Sequence, residues 1–161
     1  MATSDTLEVL RTSDLFAGIP DQDLRKFTEY LDQEVFAPGE IIINEGESGD
    51  RLYLMVEGTA SVEKKVLAKD GISFETIATL KAGETFGEME LVDKHPRSAT
   101  VRARDSVQVL SLPSISIHQA TGEDLRAFSI ILLNLAREIS LRLRETDSWL
   151  AGSLFSIRKN R

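Results

Sequence analysis

The segment 83–101 combines glycines, acidic residues and one arginine at a spacing that suits anion binding. A strand exit marked by Gly87 leads into a short helical turn that begins near Glu88. The unpaired backbone N–H groups of such a turn attract a phosphate or a carboxylate. Arg97 follows directly after Pro96, and its guanidinium matches phosphate oxygens with two parallel hydrogen bonds. These residues predict a site for a phosphate-bearing ligand.

The register of the next strand predicts that Arg97 faces the protein interior. If that strand begins at Arg97, its side chain shares a face with three small apolar residues, which are Ala99, Val101 and Ala103. The outer face then carries Ser98, Thr100, Arg102 and Arg104. A buried charge without a partner is costly. We therefore expect Arg97 to require an anion.

Residues 86–92 and 96–101 read Phe-Gly-Glu-Met-Glu-Leu-Val and Pro-Arg-Ser-Ala-Thr-Val. They resemble the phosphate-binding cassette of cyclic nucleotide-binding domains. These domains are the regulatory modules of cAMP- and cGMP-dependent kinases, cyclic nucleotide-gated channels and bacterial catabolite activator proteins. The resemblance covers about 15–145, because the turn glycines at positions 39, 46, 49 and 58 also resemble those of the family in order.

The resemblance implies a role for each part of the cassette, which we place at 86–99. Glu88 would accept a hydrogen bond from the ribose 2′-hydroxyl, Gly87 would let the backbone approach the sugar, and Arg97 would neutralise the cyclic phosphate. The backbone amides of 89–91 would bind phosphate oxygens, to which Ser98 could add a hydroxyl donor. The implied ligand-binding residues are Phe86, Gly87, Glu88, Met89, Glu90, Leu91, Arg97, Ser98 and Ala99.

The ligand implied by the resemblance is cAMP or cGMP, without a metal, and the sequence leaves the choice of base open. In the family, an occupied cassette repositions the helix that follows the barrel, here 123–148. Glu90 departs from the family pattern, which has a small residue such as alanine there. A carboxylate facing the phosphate would weaken binding by about 2–4 kcal/mol, unless it turns to solvent or pairs with Lys94.

Two other functions fit parts of the pattern. Arg97 could pair with Glu88 or Glu90, which would leave a domain that binds nothing and acts as an interaction or dimerisation scaffold. An enzyme could use Glu84, Glu88 and Glu90 as Mg²⁺ ligands or as an acid–base pair. An inward-facing arginine opposes a cation, and no Ser/His/Asp or Cys/His set can be assembled. We therefore expect no enzyme activity.

Three zones of hydrophobic pattern are expected to position the site. N-terminal helices are predicted within 1–30, and short strands separated by glycines fill 31–112. C-terminal helices follow over 113–148, and 149–161 forms a tail. The fold class is mainly β with flanking helices. The strands predict an eight-stranded antiparallel jelly-roll β-barrel, also called a double-stranded β-helix.

Apolar residues recur every three or four positions along the helix predicted over 123–148. That helix would be about 39 Å long, more than a small barrel covers. We therefore expect a homodimer through this helix, the alternative being a helix folded back along its own barrel. The stripe consists of Phe128, Leu132, Leu135, Ile139, Leu143, Thr146 and Leu150.

The composition limits the partners. The 161 residues fit one domain, and 26 acidic against 19 basic side chains give a net charge of −7, which argues against nucleic acid. Without cysteine there is no disulfide, and only His95 and His118 could offer imidazole.

No apolar run approaches the roughly 20 residues that span a bilayer, and no secretory signal is visible. We expect a cytoplasmic location and no membrane partner. About 13 residues follow position 148, too few for the helix-turn-helix of many bacterial relatives. The expectation is a stand-alone sensor without a DNA-binding segment, which acts on an unknown protein effector; the alternative is a fragment of a longer chain whose effector segment lies outside it.

Overall fold

The computed structural model describes residues 3–68, 71–91, 95–122 and 125–159. These residues form four α-helices and eight β-strands, with short 3₁₀ helices at Asp14–Phe16 and Glu88–Leu91. The helices are α1 (Thr3–Thr12), α2 (Asp21–Phe27), α3 (Ser114–Thr121) and α4 (Leu125–Lys159). The strands are β1 (Asp32–Phe36), β2 (Ile41–Ile43), β3 (Arg51–Glu57), β4 (Thr59–Ala68), β5 (Gly71–Lys81), β6 (Thr85–Phe86), β7 (Thr100–Ala103) and β8 (Val107–Pro113).

The eight strands form two antiparallel sheets. One has the order β1-β8-β3-β6 and the other the order β2-β7-β4-β5. The predicted antiparallel architecture of eight strands with flanking helices is found. The strands are divided between two sheets, and among the described residues no ladder joins these sheets into a closed barrel.

The first sheet is covered on both faces. Leu52 and Leu54 of β3 pack with the helices in one core cluster, whereas Tyr53 and Met55 pack between the two sheets in another. Successive strand residues point to opposite faces, so all four are buried. The site described below lies at the end of this sheet, where β6 leads into the 3₁₀ helix.

Helix α4 is longer than the sequence indicated. It spans 35 residues from Leu125 to Lys159, about 52 Å at 1.5 Å per residue. The predicted tail at 149–161 is therefore helical as far as Lys159. No proline interrupts that stretch, so nothing in it removes a backbone donor from the helix.

The apolar residues of α4 divide between two surfaces. Ile131 and Leu135 are 0 % and 1 % exposed and belong to the core. Leu132, Ile139 and Leu143 lie on another side and are 40 %, 37 % and 60 % exposed. The first part of α4 thus packs on its own domain, while part of the predicted stripe is open.

Candidate ligand-binding site

The cassette begins where β6 ends at a glycine with a positive φ. Gly87 has a φ of +76°, and a Cβ built there lies 2.6 Å from Arg97 Nη1 and 3.0 Å from the Arg51 carbonyl oxygen. Both the dihedral angle and the space therefore require glycine. The 3₁₀ helix Glu88–Leu91 follows directly, as the sequence predicted for a turn beginning near Glu88.

Arg97 lies across the start of this turn and is half-buried. Its Nη1 donates to the Gly87 carbonyl over 3.1 Å, and its Nη2 donates to the Arg51 carbonyl over 2.8 Å. A Cβ at Gly49 would lie 2.4 Å from Nη2. The guanidinium is thus held between two glycines.

Arg97 precedes the following strand instead of opening it, whereas Val101 and Ala103 lie in the core as the predicted register requires. β7 begins at Thr100, and the backbone of Arg97 pairs instead with the turn before it, through Gly46 N to Arg97 O and Arg97 N to Glu47 O. Thr100, predicted on the outer face, is 0 % exposed. Its hydroxyl accepts a hydrogen bond from Glu45 N, which explains its burial.

Glu88 is a buried carboxylate, and only one of its two oxygens has a hydrogen-bond partner among the described residues. Its side chain is 2 % exposed. Oε1 accepts a hydrogen bond of 2.6 Å from Arg142 Nη1, while Oε2 has no hydrogen-bond partner among the described residues. A buried acceptor without a donor is costly. The position therefore suits a ligand that brings a hydroxyl donor.

Arg142 on α4 ties the cassette to the helix. Its Nη2 donates to the Thr85 carbonyl oxygen and to Glu138 Oε1, both over 2.6 Å. The Thr85 hydroxyl donates to the Glu138 carboxylate over 2.9 Å. Neither Arg142 nor Glu138 was predicted from the sequence as part of this network. Their spacing of four residues, which places both on one helix face, is the signal that could have found them.

Burial raises the pKa of the Glu138 carboxyl above its ordinary value. The Arg142 charge and the Thr85 hydrogen bond oppose this rise, whereas the nearby charge of Glu88 adds to it. The carboxylates of Glu88 and Glu138 and the guanidinium of Arg142 thus lie close together in a partly buried region at the end of β6. The protonation of Glu138 depends on how that space is filled.

Other predicted site residues lie around this centre. Phe86 is 3 % exposed, and its ring stacks on the Tyr53 ring with centroids 5.1 Å apart. Its side chain therefore lies beneath the site and is not exposed to a ligand. Met89 is 48 % exposed, and its Sδ lies 3.9 Å from the exposed Ser98 hydroxyl. Ala99 is half-buried.

The predictions for the side chains of Glu90 and Leu91 lie outside the described residues. The backbone of both belongs to the 3₁₀ helix, at the place where the sequence expects phosphate contacts. Lys94, the predicted partner of Glu90, also lies outside the described residues.

No group of three or more His, Cys, Asp or Glu side chains among the described residues is placed to hold a metal ion. None of the helices described is both long and apolar enough to cross a bilayer.

Comparison with known proteins gives a consistent picture. The cyclic nucleotide-binding domain family matches residues 33–124. The chain is 36 % identical over 113 residues to the cAMP-dependent protein kinase regulatory subunit of Yarrowia lipolytica, which covers 70 % of this chain and 28 % of that subunit. It is 30 % identical over 152 residues to the cyclic AMP receptor protein of Thermus thermophilus, covering 94 % of this chain and 67 % of that protein.

Among solved structures, the regulatory domain of Toxoplasma gondii PKA with cAMP superposes with a TM-score of 0.73. The two are 27 % identical, and the match covers 86 % of this chain and 49 % of the other. The chain spans less than a third of the fungal kinase subunit and about half of this regulatory domain.

Proposed function

This chain belongs to the cyclic nucleotide-binding domain family, and we propose from that premise that it is a sensor that binds cAMP or cGMP at the cassette. The observation that carries the proposal is the buried Glu88 with its open Oε2. It lies beside Gly87, which has no side chain and therefore leaves room for the Arg97 guanidinium. A ribose 2′-hydroxyl would give that oxygen its donor.

The phosphate end of the ligand would lie against Arg97. This guanidinium already contacts the Gly87 carbonyl and is kept in place by the lack of a side chain at Gly49. A cyclic phosphate carries a negative charge, and hydrogen bonds between charged groups are stronger than neutral ones. Arg97 would supply the charge and the backbone amides of the 3₁₀ helix would supply further donors.

The contacts of the described residues do not distinguish an adenine base from a guanine base. The Tyr53 ring is stacked on Phe86 beneath the cassette and packs in the space between the sheets. This burial raises the pKa of its phenol. The ring is therefore poorly placed to cover a purine. The proposal keeps both cAMP and cGMP, and no metal is part of it.

Ligand binding is proposed to act on α4 through Arg142. This side chain holds Glu88 on one side and Glu138 on the other. A ribose on Glu88 changes the charge and hydrogen bonds that Arg142 experiences, and Arg142 is part of the helix. The signal would pass to a protein effector, and the cytoplasm is the expected location.

We also propose that α4 forms a homodimer. Three of its exposed apolar residues, Leu132, Ile139 and Leu143, lie on one side of the helix, at spacings of seven and four residues. Burying a leucine is worth about 1.5–3 kcal/mol. Packing against the same residues of a second copy would bury the apolar stripes of both chains at once. A two-fold axis makes such an interface self-complementary.

The alternative is a scaffold whose pocket is filled by its own side chains. The ion pair between Arg142 and Glu88 favours it, since one oxygen of the key carboxylate is already used. The open Oε2 argues for a ligand. Thermal unfolding with millimolar cAMP, cGMP or linear AMP separates the two, because a sensor gains about 2.7 kcal/mol at one hundred times its dissociation constant. A scaffold shows no shift with any of the three.

A further inference from the structure

The backbone of Arg97 is held by the β2–β3 loop, which comprises residues 44–50. Gly46 N donates to the Arg97 carbonyl oxygen over 2.9 Å, and Arg97 N donates to the Glu47 carbonyl oxygen over 2.8 Å. Gly49 in the same loop leaves room for the guanidinium. The direction in which the Arg97 side chain points therefore depends on where this loop lies.

Glu45 attaches the β2–β3 loop to the second sheet. Its Oε1 accepts a hydrogen bond of 2.8 Å from Lys64 Nζ, and its Oε2 accepts one of 2.9 Å from Lys65 N. Its backbone N donates to the Thr100 hydroxyl, and its carbonyl oxygen accepts from Lys65 Nζ, both over 3.1 Å. Both lysines belong to β4, which lies between β7 and β5 in the sheet. An interior strand thus anchors the loop, through a glutamate whose side chain is 18 % exposed.

Lys64 also holds the chain on the other side of Arg97. Its Nζ donates to the carbonyl oxygen of Ser98, the residue that follows Arg97. One ammonium group therefore joins Glu45, in the loop that binds the Arg97 backbone, to the residue next to Arg97. The Lys64 hydrogen bond lowers the pKa of the Glu45 carboxyl below its ordinary value, so this carboxylate is ionised at neutral pH.

We propose that Glu45 and Lys64 are positioning residues of the ligand-binding site, which hold the backbone of Arg97 where its guanidinium meets the phosphate. This inference rests on the proposed function. An arginine that is already ordered in the free protein loses less conformational freedom when it binds a ligand. Without the ion pair the loop is less firmly attached to β4, and the freedom that Arg97 gains has to be given up on binding. Neither Glu45 nor Lys64 is part of the cassette.

The test is calorimetric titration of the full chain with cAMP and with cGMP. Lys64→Met removes the ammonium group but keeps most of the apolar stem, whereas Lys64→Arg keeps the charge and the donors. We expect Lys64→Met to weaken binding about 3- to 10-fold, the effect of a modest loss of hydrogen bonding, and Lys64→Arg to stay near wild type. Lys81→Met, at an exposed lysine on β5, is the control and is expected to leave the affinity unchanged. Equal losses in Lys64→Met and Lys81→Met overturn the inference.

Glu45→Gln separates positioning from a simple effect of charge. If Lys64 acted on the phosphate only through its electric field, binding would become weaker in Lys64→Met and stronger in Glu45→Gln, because the two substitutions change the net charge in opposite directions. Loss of positioning weakens binding in both variants. Weaker binding in Glu45→Gln therefore supports the inference, whereas stronger or unchanged binding overturns it.

Arg97 itself gives a readout that requires no ligand. In an NMR spectrum of the arginine side chains, the Arg97 Nε–H resonance is identified by its loss in Arg97→Ala. We expect this resonance to broaden or to move towards the position of free arginine in Lys64→Met and in Glu45→Gln, but not in Lys81→Met. An unchanged resonance in both variants overturns the inference. If wild type binds neither nucleotide, the proposed function fails by itself, and the resonance still decides whether Glu45 and Lys64 position Arg97.

Discussion

The guanidinium of Arg142 donates to the buried carboxylate of Glu88 over 2.6 Å, although 54 positions separate them in the sequence. One residue belongs to the turn that shapes the pocket and the other to a 35-residue helix. This single contact joins the proposed ligand site to the element that the ligand is proposed to move.

Breaking this contact from the helix side is expected to destabilise the fold. Arg142→Gln leaves Glu88 buried with neither oxygen paired to a charge, which costs about 1–3 kcal/mol in the free energy of unfolding. Glu88→Gln in the same chain removes the stranded charge, so the double variant is expected to lose less than the two single losses together. Denaturant unfolding measures all four states. Additive losses would show that the two side chains are not coupled, and Arg144→Gln serves as the exposed control.

The space around Arg97 can be tested without touching Arg97. Gly49 does not have a positive φ, but a Cβ there would lie 2.4 Å from Arg97 Nη2. Gly49→Ala is therefore expected to displace the guanidinium and weaken nucleotide binding about tenfold or more. Its cost in stability is small, because the far end of a flexible side chain gives way. Calorimetric titration measures the affinity, and an unchanged dissociation constant would contradict the assigned role of Arg97.

Gly83→Ala is the control for that experiment. A Cβ at Gly83 meets nothing within 4 Å, although its φ is +90°. The substitution therefore strains the backbone away from the guanidinium. It is expected to lower the melting temperature and leave the affinity near that of wild type.

The Glu138 carboxyl predicts a pH dependence with a definite sign. Burial raises its folded-state pKa, so the folded chain binds more protons than the unfolded chain between the ordinary and the raised value. Stability contributed by this group is complete at low pH and is lost as the pH rises through that window. The stability of Glu138→Gln relative to wild type is thus expected to increase with pH. Denaturant unfolding at several pH values checks this, and a difference that is constant with pH rules it out. Glu57→Gln, at an exposed carboxylate, is the control.

The open stripe on α4 predicts a dimer that a charge disrupts. Leu143→Glu is expected to raise the dimer dissociation constant about 100-fold or more, because two leucines lose their burial. Leu67→Glu changes a leucine that is 91 % exposed on the β4–β5 hairpin, and it should leave the constant unchanged. Analytical ultracentrifugation distinguishes the two. If both variants behave like wild type, then α4 is not the dimer contact.

Much of the fold follows from local sequence signals. Alternating apolar residues and turn glycines predicted the antiparallel strands, because period-two patterns and positive φ angles are local properties. Where α4 ends depends on long-range packing, and no proline marks its end at Lys159.

The candidate site also has one part that the sequence predicted and one part that it did not. The cassette was visible because Gly87 and Arg97 lie ten residues apart in one segment. The strand was predicted to begin at Arg97, but Arg97 pairs with the backbone of Gly46 and Glu47 before β7 begins at Thr100. Arg142 and Glu138 come from α4, and their contacts with Glu88 and Thr85 join residues 54 and 53 positions apart. Their spacing of four residues places both on one helix face, but only the folded chain shows which part of the sheet that face meets.

The central claim is tested most directly by calorimetric titration of the wild-type chain and Arg97→Ala with cAMP and with cGMP, at low and high salt. We expect saturable binding of at least one nucleotide, one per chain, which weakens as salt screens the phosphate charge. Loss of hydrogen bonds to that charge predicts that Arg97→Ala weakens binding about 10- to 150-fold, while Arg104→Ala, at an exposed arginine, does not. Absence of binding heat for both nucleotides at both salt concentrations would contradict the account.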